Sequence, residues 1–545
     1  MTKNFTLFVS AFCAVVSLLF SCTGTPNPAS ATTVTPPKAD TYIEPHRPQF
    51  HFSPPEQWMN DPNGMVFYEG EYHLFYQHYP DSNVWGPMHW AHAISTDLAH
   101  WENLPIAIFP DSLGYIFSGS AVVDWNNTSG FGQNGKPPLV AMYTYHDPIK
   151  EKAGRNDVES QGIAYSNDRG RTWIKYAGNP ALPNPGNQKD FRDPKVIWEE
   201  QSKQWVVVMA VGDHAEFWGS PDLKKWTLLS DFGQKVGAHG GVWECPDLFP
   251  IEVETETGVS PARKWILIIN INPGGPNGGS SAQYFVGNFD GKNFVLDADF
   301  AKSVTAGKGV WMDYGKDNYA GVTWSDVPKN DGRRLLIGWM SNWEYANVVP
   351  TKAWRNAATL PRKLTLRQTG EGYRLFSQPV TELEKIRAKS FELPQTELAG
   401  ALDLSQQLGF SPARSELVLE FDLSNASCAS LGVELSNSKN EKYRIGYNRA
   451  KNQFFSDRLQ SGDHSFSKKF AAAVSTAPRI STSKSLRLHL FFDVSSMELF
   501  ADNGASVMTE LYFPSEDFNR LQLFSEAGKV TLVKASAWEV QRIWE

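Results

Sequence analysis

Cysteine is scarce in this chain, with only Cys13, Cys22, Cys245 and Cys428 among 545 residues. Two of them lie in the leader and the others stand far apart, so a disulfide framework is not expected, and no Cys/His zinc spacing occurs. Charge is sparse too, at 20%, and cations do not exceed anions: Lys+Arg 51 against Asp+Glu 59 gives a net charge of -8. No average cationic face is left to neutralise phosphates, which argues against a nucleic-acid partner. Helical periodicity is almost absent from about Gln49 onward. Aromatic residues, by contrast, are plentiful at 13%, with Trp 19, Tyr 18 and Phe 33. Such a density fits strands with large cross-strand partners, or a surface that stacks on flat ligand faces. The length predicts two or three domains, each with its own core.

Lys3 followed by the apolar run Phe5 to Phe20 has the form of a secretory signal, too short and too near the start for a spanning helix. Its end, Leu19-Phe20-Ser21-Cys22, resembles a bacterial lipoprotein box, which makes Cys22 the expected lipidation site and the protein an exported one, periplasmic or at the cell surface. The only membrane partner expected is this anchor. Residues 1–22 are thus read as the signal and 23–46, rich in Pro, Thr and Ala at its start, as a flexible tether.

The remainder reads as strands. Met65-Val66-Phe67-Tyr68 and Tyr72-His73-Leu74-Phe75-Tyr76 flank Glu69-Gly70 as a hairpin, and runs such as Trp265 to Ile271 are apolar enough for burial on both faces. A loose repeat recurs: Ser95-Thr96-Asp97 with Trp101, Ser166-Asn167-Asp168 with Trp173, Ser220-Pro221-Asp222 with Trp226, and Asp290-Gly291 with Phe294. Each predicts a turn built on an Asp or Ser side chain with an aromatic packed beneath it. Units of about four short strands at this period suggest a β-propeller over 47–365. A connector is expected over 366–395, with a brief helical piece at Leu383 to Lys389. From 396 to 545 the alternation in Leu417-Val418-Leu419-Glu420-Phe421 indicates antiparallel sheets packed as a β-sandwich.

Three acidic residues stand in aromatic, Pro-containing contexts outside charge runs. These are Asp61 in WMNDPNG (Trp58 to Gly64), Asp193 in FRDP (Phe191 to Pro194) and Glu244 in WECPD (Trp243 to Asp247). Each precedes a predicted strand, so each can enter one cleft from a different blade. Glycoside cleavage needs one carboxylate that stays ionised at the anomeric carbon and another that holds a proton for the leaving oxygen. The Trp–Cys neighbours of Glu244 favour the protonated role. Asn60 and Asn63 beside Asp61 favour the ionised one.

Taken together, these motifs resemble glycoside hydrolase family 32, the β-fructofuranosidases, most of all bacterial levanases and exo-inulinases. The resemblance continues through WGPMHWAHAIS (Trp85 to Ser95), FSGSAVVD (Phe117 to Asp124), GWMSNWEYA (Trp339 to Ala346), WRNAATLPR (Trp354 to Arg362) and, in the sandwich, DVSSMELFADNG (Asp493 to Gly504). It implies an all-β protein, a five-bladed propeller followed by a β-sandwich, that hydrolyses β-D-fructofuranosides (levan, inulin or sucrose) with retention, and without metal or cofactor. It implies Asp61 as nucleophile, Glu244 as acid/base and Asp193, with Arg192, as stabiliser of the transition state. Asn60 and Gln77 match fructose-binding positions. Trp58, Trp85, Phe117, Ser118 and Trp339 match pocket positions, and Asp313 in WMDYG is expected to face the same cleft. An endo-acting levanase, a fructosyltransferase and, in another class, a surface fructan-binding protein on the same scaffold remain open at this level. His73, His78, His89 and His92 are read as structural rather than metal-ligating.

Overall fold

The computed structural model describes residues 42–255, 258–305 and 307–544. The signal and Cys22 lie outside the described residues, as does all of the tether except residues 42–46. Five four-stranded antiparallel units follow one another: Gln57–Tyr68 to Glu102–Ile108, Tyr115–Val123 to Ile174–Lys175, Phe191–Glu199 to Thr227–Phe232, Val242–Thr255 to Phe294–Leu296, and Tyr319–Thr323 to Gly372–Pro379. They are the blades of a five-bladed propeller. Their first strands pack side by side around the axis. Because blades stack on both faces, many strands are buried throughout, as in Leu139–His146, and apolar continuity replaces alternation there.

The ring is closed by residues 354–358. Gln57 and Trp58 pair in parallel with Trp354 and Arg355, while Ala357 and Ala358 pair with the fifth-blade strand at Met340 and Trp339. On the axis, the buried Lys195 Nζ stands 3.2 Å from Asp247 and donates to the Thr323 carbonyl at 2.7 Å. This pair ties the inner strands of the last three blades.

The repeated turns occur where the sequence places them, between the third and fourth strands of the first four blades. Ser95 Oγ accepts the amides of Asp97 and Leu98, and Asp97 Oδ1 accepts those of Ala99 and His100. Ser220 and Asp222 repeat the pattern, and Leu98 and Leu223 take the same left-handed backbone (φ 62 and φ 63). The Trp173 and Trp226 indoles donate to the turn carbonyls of Gly170 and Leu223.

The sandwich is drawn from one eleven-stranded hydrogen-bonded set, in which the long strand Arg520–Val540 pairs with four others. Two expectations need correction. Residues 366–395 are not a connector: Arg362–Thr369 and Gly372–Pro379 complete the fifth blade, and Arg387–Leu393 already pairs with Arg520–Val540. Only the 3-10 turn Thr381–Ile386 joins the domains. The tether does not extend to residue 46, because Tyr42 stacks on Trp544 at 3.9 Å. In both cases polar and charged surface positions masked an element whose other face is packed. Cys245 and Cys428 are buried and free, one in each domain.

The two domains are joined by a buried ionic seam. His51 places Nδ1 2.9 Å from Asp493 and Nε2 3.1 Å from Glu498. Arg362 reaches Glu498 at 2.6 Å and Asp313 at 3.0 Å, and Asp313 accepts the Thr509 amide at 2.9 Å. Burial alone would neutralise His51, but two carboxylates outweigh it and raise its pKa to about 9. The charged imidazolium therefore adds stability that is complete below pH 6.5 and lost as pH rises through 9, on the order of 3 kcal/mol. Thermal unfolding should show Tm falling between pH 7 and 10, with a clearly shallower fall in His51→Asn; parallel slopes would contradict the assignment.

Candidate active site

Each of the three acidic motifs sits on the first strand of a blade, and each interrupts its strand. Register shifts fall between Met59 and Pro62, at Asp193 opposite Val208/Ala210, and between Glu244 and Asp247. Asp193 and Cys245 both have positive φ, 62 and 41. A bulge re-aims a side chain that regular alternation would send into a blade face. The prolines at 62, 194 and 246 follow from this, since each lacks the amide that a regular ladder would require.

The re-aimed groups line one cavity of about 300 Å³ together with Asn60, Gln77, Trp85, Phe117, Ser118, Arg192, Trp343 and Asn347. Trp85, 39% exposed, stands at its mouth. Asp61 Oδ2 accepts from Ser118 Oγ at 2.9 Å, whereas Oδ1 is buried with no hydrogen-bond partner. Asp193 Oδ2 accepts the Cys245 amide at 2.8 Å. The Tyr319 hydroxyl donates to Glu244 Oε2, and Arg192 Nη1 lies 3.8 Å from Oε1.

Three carboxylates, Asp61, Asp193 and Glu244, share this cavity with the Arg192 guanidinium. Burial pushes Asp193 up to about 8, against the pull of Arg192 and with the repulsion of Glu244 and Asp61. Burial likewise raises Glu244, opposed by Arg192 and the Tyr319 hydrogen bond and assisted by Asp61. Burial thus favours the protonated form of both Asp193 and Glu244, the direction that suits an acid able to give up a proton. Arg192 is fixed from behind by Asp190 and by Glu159, 3.4 Å away, and Glu159 in turn contacts His146, whose ring stacks on Phe117 at 4.3 Å.

Of the expected pocket residues, Asn60, Gln77, Trp85, Phe117, Ser118 and Arg192 line the cavity. Trp58, Trp339 and Asp313 do not. Trp58 and Trp339 are fully buried behind the pocket, packed against Trp343 at 6.1 and 4.8 Å. Asp313 belongs to the ionic seam, held by Arg362, Asn318 and Thr509. The residues that sequence reasoning passed over are Trp343, Asn347, Tyr319 and Glu159. Trp343 lies inside the quoted stretch GWMSNWEYA, four residues beyond Trp339. Trp339 is the strand residue, facing inward, and Trp343 is in the loop. Trp58 still serves the site, since its indole donates to Asn60 Oδ1 at 2.7 Å. Trp58→Phe keeps most of the ring but frees Asn60. It should weaken ligand binding at the cavity roughly tenfold and lower Tm somewhat, because a smaller ring leaves a void at a fully buried position, and unchanged binding would show that Asn60 is held by other means.

The model of the glycosyl hydrolases family 32 N-terminal domain matches residues 51–379, and that of the family's C-terminal domain matches 382–539. The levanase of Bacillus subtilis (strain 168) is 46% identical over 503 residues, covering 92% of this chain and 72% of the relative. An extracellular exo-inulinase of Aspergillus awamori is 39% identical over 529 residues, 93% and 96% of the two chains. The crystal structure of an exo-inulinase from the same fungus superposes with a TM-score of 0.84 at 37% identity, over 92% of this chain and 100% of that one. The β-fructofuranosidase of Schwanniomyces occidentalis, complexed with fructosyl-erythritol, gives 0.81 at 31%, over 92% and 99%. The chain belongs to glycoside hydrolase family 32 and is a glycoside hydrolase.

Proposed function

We propose that the protein is an exported, exo-acting β-fructofuranosidase that releases terminal fructose from levan, inulin or sucrose by double displacement. Asp61, through its unpartnered Oδ1, attacks C2 of the terminal fructosyl unit as the C2–O bond to the leaving group breaks. Glu244 transfers its proton to that departing oxygen. The resulting carboxylate then takes a proton from water as the water oxygen attacks C2 and Asp61 leaves, giving fructose with its original anomeric configuration. Asp193 and Arg192 bind the fructosyl hydroxyls and hold the ring as charge develops.

The observation that carries this reading is the convergence of three carboxylates from three blades on one small cavity with buried acids and a single half-exposed indole at its mouth. Such a pocket suits a chain end better than a chain interior. Product analysis on levan, inulin and sucrose in parallel tests it. Fructose as sole early product is expected, the first anomer seen by NMR being the β form. A ladder of oligosaccharides, or an inverted anomer, would refute it. The same reading places a lipid on Cys22, so Cys22→Ser should leave the protein unlipidated by mass spectrometry.

A further inference from the structure

Two residues of the catalytic cavity, Trp343 and Asn347, belong to one loop of the fifth blade, and midway between them stands Tyr345, which does not line the cavity. Asn347 Oδ1 accepts the Trp85 amide at 2.8 Å, so the indole at the mouth is also placed by this loop. The Tyr345 amide donates to the Asn342 carbonyl at 3.1 Å, and its own carbonyl accepts the Val348 amide at 2.9 Å. Tyr345 is thus common to two consecutive turns, one bearing Trp343 and the other Asn347. Its buried ring packs edge-on against Phe470 of the sandwich at 5.1 Å. Its hydroxyl donates to Asp317 Oδ1 at 2.6 Å and accepts from Arg458 Nη2 at 2.8 Å. Arg458, on the sandwich strand Gln453–Gln460, is buried as well. Its other donors reach Asp317 Oδ2 at 2.5 Å and the carbonyls of Phe470 and Leu511 at 2.8 and 3.1 Å, with Glu510 3.0 Å away. Asp317 is itself tied to the sandwich, accepting the Leu511 amide at 2.9 Å and donating its own to the Thr509 carbonyl at 3.1 Å. Both partners of the Tyr345 hydroxyl are therefore held by the second domain.

We propose that Arg458 is a positioning residue for the catalytic pocket: from the sandwich, through the Tyr345 hydroxyl, it sets where Trp343 and Asn347 stand and so how tightly the pocket mouth grips substrate. The three acids do not need this help, because each is aimed by a bulge built within the propeller. The aromatic wall differs, since it lies in a loop without a strand ladder to fix it. Behind Trp343 are Trp58 and Trp339, at 6.1 and 4.8 Å. Those contacts are apolar and non-directional, so they bury the indole without fixing its position along the wall. Direction comes from the guanidinium, whose rigid fork of donors is always charged and acts two residues from both Trp343 and Asn347. The buried acids Asp317 and Glu510 require a counter-charge, which a lysine could also supply. Only the planar fork satisfies them and reaches Tyr345 at the same time. A displacement of about 1 Å at such a wall can cost up to roughly a hundredfold in efficiency. The sandwich therefore shapes substrate binding although none of its residues lines the cavity.

The inference rests on the β-fructofuranosidase reading, and the test separates the two. In the full chain, Tyr345→Phe keeps the ring against Phe470 and removes only the hydroxyl. Arg458→Lys keeps a cation between Asp317 and Glu510 and removes the fork. Each is expected to raise KM for sucrose roughly fivefold with kcat within about twofold of the unmodified enzyme. The double variant should be little worse than either single one, since both cut the same link. His51→Asn, elsewhere in the ionic seam, is the control, and should lower Tm without moving KM. Labelling with fluorotryptophan gives a reading independent of turnover. The fluorine resonance that Trp343→Phe abolishes should shift in Tyr345→Phe and Arg458→Lys and stay in place in His51→Asn. An unmoved KM or an unmoved resonance in Tyr345→Phe would overturn the proposal, whatever happens to Tm. An equal rise of KM in His51→Asn would overturn it too, by reducing the effect to general loosening. Should Arg458→Lys fail to fold, Tyr345→Phe decides alone. Absence of sucrose and fructan hydrolysis in the unmodified protein would instead refute the catalytic reading and leave the resonance to judge the positioning of Trp343.

Discussion

Asp61→Asn is expected to lower kcat on sucrose by roughly 10,000-fold or more, with Tm unchanged or slightly higher. The substitution is isosteric, and an amide oxygen can still accept the Ser118 hydroxyl, so the local hydrogen bonding survives. What is lost is the charge on Oδ1, the carboxylate oxygen that the protein buries without a partner. Leaving such an atom unsatisfied costs stability, and a fold tolerates it where substrate supplies the missing interaction. The variant also removes one acid from the cluster, relieving the repulsion that helps to push Asp193 to about 8. Stability and activity should therefore move in opposite directions, which distinguishes loss of a catalytic group from loss of structure. A rate within tenfold of the unmodified enzyme would exclude Asp61 as nucleophile.

Why these three acids were legible in the sequence, and others not, follows from how each is held. Asp61 and Asp193 each directly precede a proline inside a strand, and Glu244 stands two residues before one; a regular ladder disfavours such prolines, so sequence alone marks a bulge and an aimed side chain. Asp247, two residues beyond Cys245, looks similar on the page but is buried in an ion pair with Lys195 on the axis. Nothing local distinguishes those two fates, because the partner comes from another blade. The same applies to Asp313, whose partners Arg362 and Thr509 lie 49 and 196 residues away. The tryptophans divide by backbone state: Trp85 and Trp343 occupy loops and reach the pocket, whereas Trp58 and Trp339 occupy strands and are covered.

The propeller repeat was readable for a comparable reason, while the count of five came from the family resemblance. Each Ser-x-Asp turn satisfies its own amides within four residues, so the device is local and survives in sequence. The fifth blade lacks it; its third and fourth strands pass straight into the 3-10 turn that leads to the sandwich, and the domain border was accordingly placed too early. The aromatic surplus resolves along the same lines. Most of it fills blade and sandwich interiors, and among the described residues only Trp85, Phe117 and Trp343 line the catalytic cavity.

Glu244→Gln should produce a deficit of a different shape. On sucrose, whose leaving oxygen needs a proton, kcat is expected to fall roughly 1,000-fold or more. On p-nitrophenyl β-D-fructofuranoside, whose leaving group departs as an anion, the first step should fall much less. Water activation would still lack its base, so the fructosyl enzyme accumulates and nitrophenol is released in a burst of about one equivalent. Azide, which attacks without giving up a proton, should restore turnover to Glu244→Gln and not to Asp61→Asn. The pH profile supplies an independent reading. Burial holds the Glu244 pKa above the ordinary carboxylate range while Arg192 and Tyr319 restrain it, so the alkaline limb of kcat/KM in the unmodified enzyme reports deprotonation of this acid. That limb should vanish in Glu244→Gln with the activated substrate and move to higher pH in Arg192→Gln, where the restraining guanidinium is gone. Absence of both burst and azide rescue would remove Glu244 from the acid/base role, and an unmoved alkaline limb in Arg192→Gln would show that another group sets the high-pH loss of activity.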